Sequence, residues 1–241
     1  MIPLRDKNPT RRTPLTTWAL IGACLAAFAI ELSITAAGGD AALEGFFRRW
    51  GAIPRDITGA LETGDYLGQG VVGMFTSMFL HGGWLHLLGN MLFLWIFGNN
   101  VEDRLGSIPF LLFYLVGGVA AALTQVAIDP RSTIPLVGAS GAIAATLGAY
   151  LVLFPGARIL SLVFLGFFYQ LIEVPAIIVL GFWFGLQLLS GFASFGAETA
   201  DGGVAFFAHI GGFVLGLVVG LLLRIVGAGT RRGDRPLTSM G

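Results

Sequence analysis

The sequence predicts an all-α polytopic membrane protein with six membrane-spanning helices, from its composition and the length of its apolar runs. Hydrophobic residues make up 55% of the 241 residues and charged residues only 12%, with a mean hydropathy of +0.82. Such a chain cannot bury its apolar surface inside a water-soluble core. At about 20 residues per crossing, five stretches are long enough to span a bilayer, and a shorter stretch that contains polar residues makes a sixth.

The spans form one membrane domain, residues 14–228, between an N-terminal tail at 1–13 and a C-terminal tail at 229–241. Both tails are basic and contain proline, which is typical of disordered segments. A long outer connection between the first two spans mixes charges with apolar pieces and is expected to lie partly at the membrane interface. In chain order the predicted spans are 16–35, 84–99, 107–128, 138–154, 174–192 and 204–226.

The stretch 159–195 is apolar except for Gln170, Glu173 and Gln187, and is long enough for two crossings. We expect one crossing preceded by a membrane-surface segment at 159–171. About 13 residues are too few to span a bilayer, and Glu173 followed by Pro175 is a helix start signal. The choice sets the direction of the last span.

Six crossings put both termini on one side, and the charges indicate which side. Of the 14 Lys and Arg residues, four (Arg48, Arg49, Arg55 and Arg131) flank the opposite side, and the other ten flank the side that holds the termini. The positive-inside bias therefore predicts cytoplasmic termini. The first span has no small-residue cleavage site after it and is interpreted as an anchor. The zero net charge gives no indication of nucleic acid, and a lone cysteine supports neither a disulfide nor a metal site.

The polar residues inside the spans share one depth. Spans two, four and six run from outside to inside, and their N-terminal ends hold His86 and Asn90, Ser140, and His209 respectively. At 1.5 Å per residue, Ser140 lies about 3 Å, and Asn90 and His209 about 8–9 Å, below the starts of their predicted spans. The four side chains can therefore meet in one outer-leaflet pocket.

Each of these residues also has a plainer interpretation. A serine at a helix start is usually an N-cap. A histidine in a membrane could ligate haem or carry protons, and His86 with Asn90 could form interhelical hydrogen bonds. Glycines 212, 216 and 220 form a ridge on the face of His209. We expect this ridge to pack against a face of span four formed by small residues, Ser140, Ala144 and Gly148.

The joint pattern is more specific than its parts. A serine needs a neighbouring base to become a nucleophile, and an imidazole can take and return the proton. The Ser140 N–H, the Asn90 amide and His86 are donors for a developing oxyanion. Because no carboxylate lies beside His209 in the spans, a Ser–His dyad is favoured over a triad. The nearest outer acids, Glu198 and Asp201, lie in a loop.

Together the motifs resemble the rhomboid family of intramembrane serine proteases over roughly residues 16–226. The matching motifs are His86-Leu-Leu-Gly-Asn90, Glu102-x-Arg104-Leu105-Gly106, Gly138-Ala139-Ser140-Gly141 and Ala208-His209-x-x-Gly212-x-x-x-Gly216. His81 also matches a histidine common in the family, for which we expect a loop-anchoring hydrogen bond.

The resemblance implies a six-helix rhomboid-like bundle with a long outer loop between helices 1 and 2. It implies cleavage of transmembrane segments of other proteins, without a cofactor or metal, in the plasma membrane of a bacterium or archaeon. The expected partners are transmembrane protein substrates and membrane lipids. The implied roles are nucleophile for Ser140, base for His209, oxyanion binding for His86, Asn90 and Ser140, and support for Gly138, Gly141, His81 and Gly212.

Two positions depart from the family pattern. Relatives often carry a Trp-Arg pair where this chain has Val72-Gly73, so the outer loop must be anchored differently. An aromatic residue that stacks on the catalytic histidine is often found where this chain has Ala144. Two alternatives stay open: a noncatalytic rhomboid-like protein that binds membrane segments, and a haem or proton-carrying protein, which a Soret band in the absorbance spectrum would reveal.

Overall fold

Helices dominate the computed structural model, which describes residues 1–165, 168–193 and 205–227. Three short strands accompany them: β1 Ile2–Asp6, β2 Arg158–Leu165 and β3 Phe168–Pro175. A 3-10 turn spans Ser77–Phe79, and a π-helical turn spans Leu94–Gly98. The helices are α1 Leu15–Trp50, α2 Pro54–Thr63, α3 Gln69–Thr76, α4 Trp84–Phe93, α5 Asn99–Leu105, α6 Ser107–Ile128, α7 Ser140–Leu153, α8 Ala176–Ala193 and α9 Phe206–Ile225.

Four helices of the described residues (α1, α6, α8 and α9) are long and apolar enough to cross a membrane. The bent pair Gln69–Phe79 and Trp84–Leu105 makes a fifth if it is counted as one span. Helix α7 has only 14 residues, or about 21 Å, against a hydrocarbon layer of about 30 Å. The prediction of a mostly helical integral membrane protein is confirmed, and the count of six crossings stays a prediction.

The stretch that could have held two crossings contains one helix in its described part, α8. Residues before it form an antiparallel hairpin in which Arg158 pairs with Pro175 and Leu165 with Phe168. Strand β1 pairs antiparallel with β2 and completes a three-stranded sheet. The expectation of an all-α fold and of a disordered N-terminal tail was therefore wrong for these segments. The C-terminal tail at 229–241 lies outside the described residues.

The connection between the first and second predicted spans is largely helical. Helix α1 continues past residue 35 to Trp50, interrupted only at Gly39, whose φ of 70° is readily adopted by glycine. Helix α3 packs against the backbone at the C-terminal end of α1. A Cβ on Gly73 of α3 would lie 2.5 Å from the Gly51 carbonyl oxygen. Ala52 and Leu136 exchange two backbone hydrogen bonds of 3.0 and 2.8 Å. Backbone contacts thus anchor the connection where the sequence carries Val72-Gly73.

Helix α7 lies at the centre of the bundle. Every residue from 142 to 150 is buried, and the helix packs between α6 and α9. A Cβ on Gly117 of α6 would lie 2.6 Å from the Ala145 Cβ, so α6 and α7 are in close contact. A helix enclosed by protein does not need to match the thickness of the lipid, which explains how a central helix of 14 residues fits this fold.

A buried carboxylate joins α5 to the starts of α1 and α6. Glu102 accepts hydrogen bonds from the Thr17 backbone N–H at 2.7 Å, the Thr17 hydroxyl at 2.8 Å and the Ser107 hydroxyl at 2.7 Å. It also accepts one from the Thr16 N–H at 2.9 Å. These bonds occupy donors at a helix start that have no intrahelical partner. They hold the end of the bundle opposite the N-terminus of α7.

A second carboxylate at this end, Asp6 of β1, accepts hydrogen bonds from the Tyr150 hydroxyl at 3.0 Å and the Asn100 amide. Asp6 is buried, and burial raises the pKa of its carboxyl from 3.8 to about 6, because desolvation outweighs the effect of these bonds. The N-terminal strand is thereby connected through Tyr150 to the C-terminal end of α7.

The raised pKa of Asp6 makes the folded protein bind more protons than the unfolded chain between pH 3.8 and about 6. Stability should therefore fall as the pH rises through this window, by up to about 3 kcal/mol. Asp6→Asn keeps an oxygen for Tyr150 and should remove this part of the pH dependence. Thermal unfolding of the detergent-solubilised protein at pH 4 and pH 7 measures it. Asp40→Asn, at an exposed position of α1, is the matched control. If Asp6→Asn shows the same difference in stability between pH 4 and pH 7 as the wild type, the raised pKa is not the cause of that difference.

Candidate active site

The first turns of α7 and α9 bring a serine and a histidine into hydrogen-bond contact. The Ser140 Oγ lies 2.7 Å from the His209 Nε2. The N-cap residue of α7 is Ala139, and Ser140 is the first residue of the helix. The N-cap interpretation of Ser140 is therefore not the arrangement that the structure adopts. The two residues predicted to meet do so, at a distance that permits direct proton transfer.

Glycines place these two helices in backbone contact. A Cβ on Gly212 would lie 2.2 Å from the Gly141 carbonyl oxygen, and one on Gly216 would lie 1.9 Å from that of Ala145. On the other helix, a Cβ on Gly148 would lie 2.1 Å from the Phe213 oxygen. The ridge was predicted to meet a face of Ser140, Ala144 and Gly148. The contact also includes the next residues of α7, Gly141 and Ala145. No side chain larger than hydrogen fits at the glycine positions.

Ser140 is partly buried and lies below the end of the neighbouring helix α6. A Cβ on Gly141 would lie 2.6 Å from the Ala121 Cβ, which sets these two residues at one level. Helix α6 continues from Ala121 to Ile128, seven residues further, or about 10 Å. The serine is therefore about 10 Å below the end of α6. Residues 129–139 connect the end of α6 to Ser140.

Gly138 separates the serine from His86. It has a φ of 134°, and a Cβ there would lie 2.8 Å from the His86 Nε2 and 3.4 Å from the Ser140 Oγ. Its N–H donates to the Ser77 carbonyl at 2.9 Å, which fixes the loop before α7. Glycine is required both by the backbone angle and by the space. The first turn of α4 thus presents the His86 ring beside the serine.

His81 packs behind this ring. The two imidazoles are edge to face with centroids 5.2 Å apart. The His81 backbone N–H donates to the Glu31 Oε1 at 3.0 Å, and the His81 Nδ1 lies 3.2 Å from the Phe79 carbonyl oxygen. Glu31 is a buried carboxylate in α1 that sequence reasoning missed. Glu31 could have been found in the sequence as an acidic residue within an apolar span, where such residues often have a function.

Asn90 lies one turn after His86 and is buried. Its amide nitrogen has no hydrogen-bond partner among the described residues, so an N–H donor is free for a ligand. Asn90, His86, Ser140 and His209 all line one cavity of about 880 Å³. The four residues predicted to share a pocket are therefore brought together by the fold.

A second contact to His209 was not predicted. The His209 Nδ1 lies 2.8 Å from the Gln187 Oε1 of α8, and the Trp183 ring lies 6.0 Å from the imidazole between centroids. Gln187 stands out in the sequence as a polar residue in an apolar helix, which is a signal for function. The outer acids Glu198 and Asp201 lie outside the described residues.

Comparison with known proteins identifies a family for this chain. A family model described as Rhomboid domain matches residues 68–225. The chain is 30% identical to Rhomboid protein 1, mitochondrial, of Saccharomyces cerevisiae over 153 residues, 62% of this chain and 41% of the yeast protein. It is 35% identical to RHOMBOID-like protein 4 of Arabidopsis thaliana over 152 residues, 63% of this chain and 34% of that protein. It is 35% identical to Rhomboid protease GluP of Bacillus subtilis over 156 residues, 65% of this chain and 27% of that protein. The chain thus covers less than half the length of each of these relatives.

A substitution in the helix contact should separate the serine from the histidine. Gly216→Ala places a methyl group against the Ala145 carbonyl and forces α9 away from α7. We expect a loss of about 1–3 kcal/mol of stability, as for overpacking. Disulfide formation between cysteines substituted for Ser140 and His209 reports their separation and should become slower. Gly22→Ala in α1, where an added Cβ meets no atom within 4 Å, is the matched control. Equal stability and equal cross-linking of the two variants would contradict the role of the contact.

Proposed function

Because the chain belongs to the rhomboid family, we propose that it is an intramembrane serine endopeptidase that hydrolyses peptide bonds in or near transmembrane segments of other membrane proteins. The observation that carries the proposal is the 2.7 Å contact between the Ser140 Oγ and the His209 Nε2 at the wall of a large cavity. A base at this distance can activate a serine as a nucleophile.

In the proposed reaction, the Ser140 Oγ attacks the carbonyl carbon of the scissile bond while its proton moves to the His209 Nε2. The imidazolium then protonates the leaving amine, which leaves an acyl-enzyme on Ser140. A water molecule, deprotonated by the same nitrogen, attacks the ester and releases the second product. Each proton that His209 accepts is returned, so the residues are unchanged after one turnover.

The negative charge on the carbonyl oxygen needs donors in place before the attack. The N–H of Ser140 lies at the start of α7, where backbone donors have no intrahelical partner. The free Asn90 amide and the His86 ring line the same cavity. The positive ends of α4, α7 and α9 also point towards this region. We assign oxyanion binding to Ser140, Asn90 and His86, and support of the site to Gly138, Gly141, Gly212 and His81.

The depth of the serine restricts its substrates. A helix in lipid has its carbonyl groups hydrogen-bonded, so a segment must be locally unwound before Ser140 can attack. Unwinding costs least near glycine, proline and other weak helix formers. Transmembrane segments with such residues near one membrane surface are therefore the proposed substrates, and lipid is the other partner. The narrow approach beside Gly138 favours small residues at the scissile bond.

The two rival functions are less well supported. A noncatalytic membrane-segment binding protein has no need of a base in contact with Ser140. For a haem protein, His209 would need a free ring nitrogen, but one nitrogen contacts Ser140 and the other contacts Gln187. We also propose cytoplasmic termini, based on the distribution of Lys and Arg. A bacterial or archaeal plasma membrane is the proposed location.

Ser140→Ala and His209→Ala should each lower the cleavage rate of a single-pass substrate by at least about 10³-fold, because each removes half of the nucleophile–base pair. The measurement is product formation by the purified protein in liposomes. Ser33→Ala, at an exposed position of α1, is the control and should cleave normally.

Labelling by a fluorophosphonate, which needs an activated serine but no particular substrate, should be lost in the same two variants. Cleavage by Ser140→Ala at the wild-type rate would overturn the assignment. Binding of the substrate by a wild-type protein that neither cleaves nor labels would favour the noncatalytic alternative.

The proposed orientation is tested with single cysteines. Leu67→Cys, at a highly exposed position between α2 and α3, should react with an impermeant maleimide in intact cells. Thr10→Cys, in the N-terminal segment at the opposite end of the bundle, should react only after lysis. The native Cys24 is fully buried and contributes little background. The reverse pattern of labelling would place the termini outside.

A further inference from the structure

Helix α8 supplies the contacts that hold the His209 ring on the side away from Ser140. Gln187 and Trp183 are one helical turn apart and share a face of α8. Trp183 contacts the imidazole and also lies 6.1 Å from the Phe213 ring, one turn after His209 on α9. Phe213 stacks on Phe184 with centroids 4.4 Å apart, which fixes α8 against α9.

The Gln187 contact selects one form of the imidazole. The atom that faces the His209 Nδ1 is the amide oxygen, which can only accept a hydrogen bond. With the amide in this orientation, the proton of the neutral ring is on Nδ1. The Nε2 then carries the lone pair and accepts the hydrogen bond from the Ser140 hydroxyl. This is the tautomer that a general base requires.

Helix α7 offers the ring no comparable support. One turn after Ser140 it carries Ala144, which is fully buried and faces Gly212. Because the two helix backbones are in contact here, the space next to Ala144 is already filled. The side chains that orient His209 are therefore on α8.

Resting on the proposed function, we propose that Gln187 is a positioning residue that holds His209 in the proton-accepting tautomer, while Trp183 fixes the plane of the ring. The unit is then a triad of Ser140, His209 and Gln187 with a neutral third member. A neutral amide stabilises an imidazolium less than a carboxylate does. It also costs much less to bury in a membrane, which suits a site about 10 Å below the end of α6.

The kinetic test compares Gln187→Leu, Gln187→Glu and the control Leu189→Ala, whose side chain is exposed on the same helix. Gln187→Leu removes the acceptor and should lower kcat by about 10–100-fold with KM changed by less than about twofold. Gln187→Glu keeps an acceptor and adds a charge, so it should restore kcat and move the acidic limb of the pH–rate profile to higher pH. Leu189→Ala should leave the profile unchanged.

A second measurement does not depend on activity. The chain has three histidines, so a sample labelled with ¹⁵N-histidine gives few imidazole signals, and His209→Ala assigns those of His209. The wild-type protein should show His209 with the proton on Nδ1. Gln187→Leu should shift the population towards the Nε2-protonated tautomer, and Gln187→Glu should not.

The outcomes separate the two proposals. A Gln187→Leu protein with the wild-type kcat and the wild-type tautomer would overturn the role of Gln187. A loss of activity without a change of tautomer, and without rescue by Gln187→Glu, would also overturn it, since Gln187 would then act only through packing. A tautomer that depends on Gln187 in a protein that cleaves nothing would refute the protease and leave the positioning role intact.

Discussion

The backbone contact between α7 and α9 is the constraint on which the site depends. Helices in lipid gain little from the hydrophobic effect and associate through close packing. Gly212 and Gly216 allow the α9 backbone to reach the carbonyl oxygens of α7. Since Ser140 and His209 occupy the first turns of these helices, any widening of the contact adds directly to their separation of 2.7 Å. Packing and chemistry therefore share the same residues.

The residues of the candidate site could be predicted to meet because polar groups in a membrane are energetically costly and therefore few. His86, Asn90, Ser140 and His209 were recognised by a common depth, and the fold brings them to one cavity. The level of Ser140 relative to the end of α6 could not be predicted. It depends on where residues 129–139 return into the bundle and on the length of α7 relative to α6, and no local sequence pattern encodes either quantity.

The missed features depend on contacts between segments far apart in the chain. Gln187 and Glu31 are visible as polar residues in apolar helices, but what they contact is set by how α8 and α1 rotate against their neighbours. The hairpin of β2 and β3 was expected only as a surface segment, because a short apolar run has no distinctive period. The pairing of this hairpin with β1, at the N-terminal end of the chain, could not be predicted from either segment alone.

Helix α8 connects His209 to the lipid-facing surface of the protein. One of its faces carries Gln187 and Trp183 into the cavity, while Ile177, Phe182 and Leu189 are exposed on others. The hydrogen bond from His209 is 2.8 Å long, and a displacement of α8 by about 1 Å lengthens it beyond the range of a hydrogen bond. A substrate helix that entered by moving α8 would therefore release His209 from its orienting partner. In the proposed mechanism, His209 would regain its proton-accepting tautomer only when α8 returned, so this one helix would link access to the cavity with readiness for proton transfer.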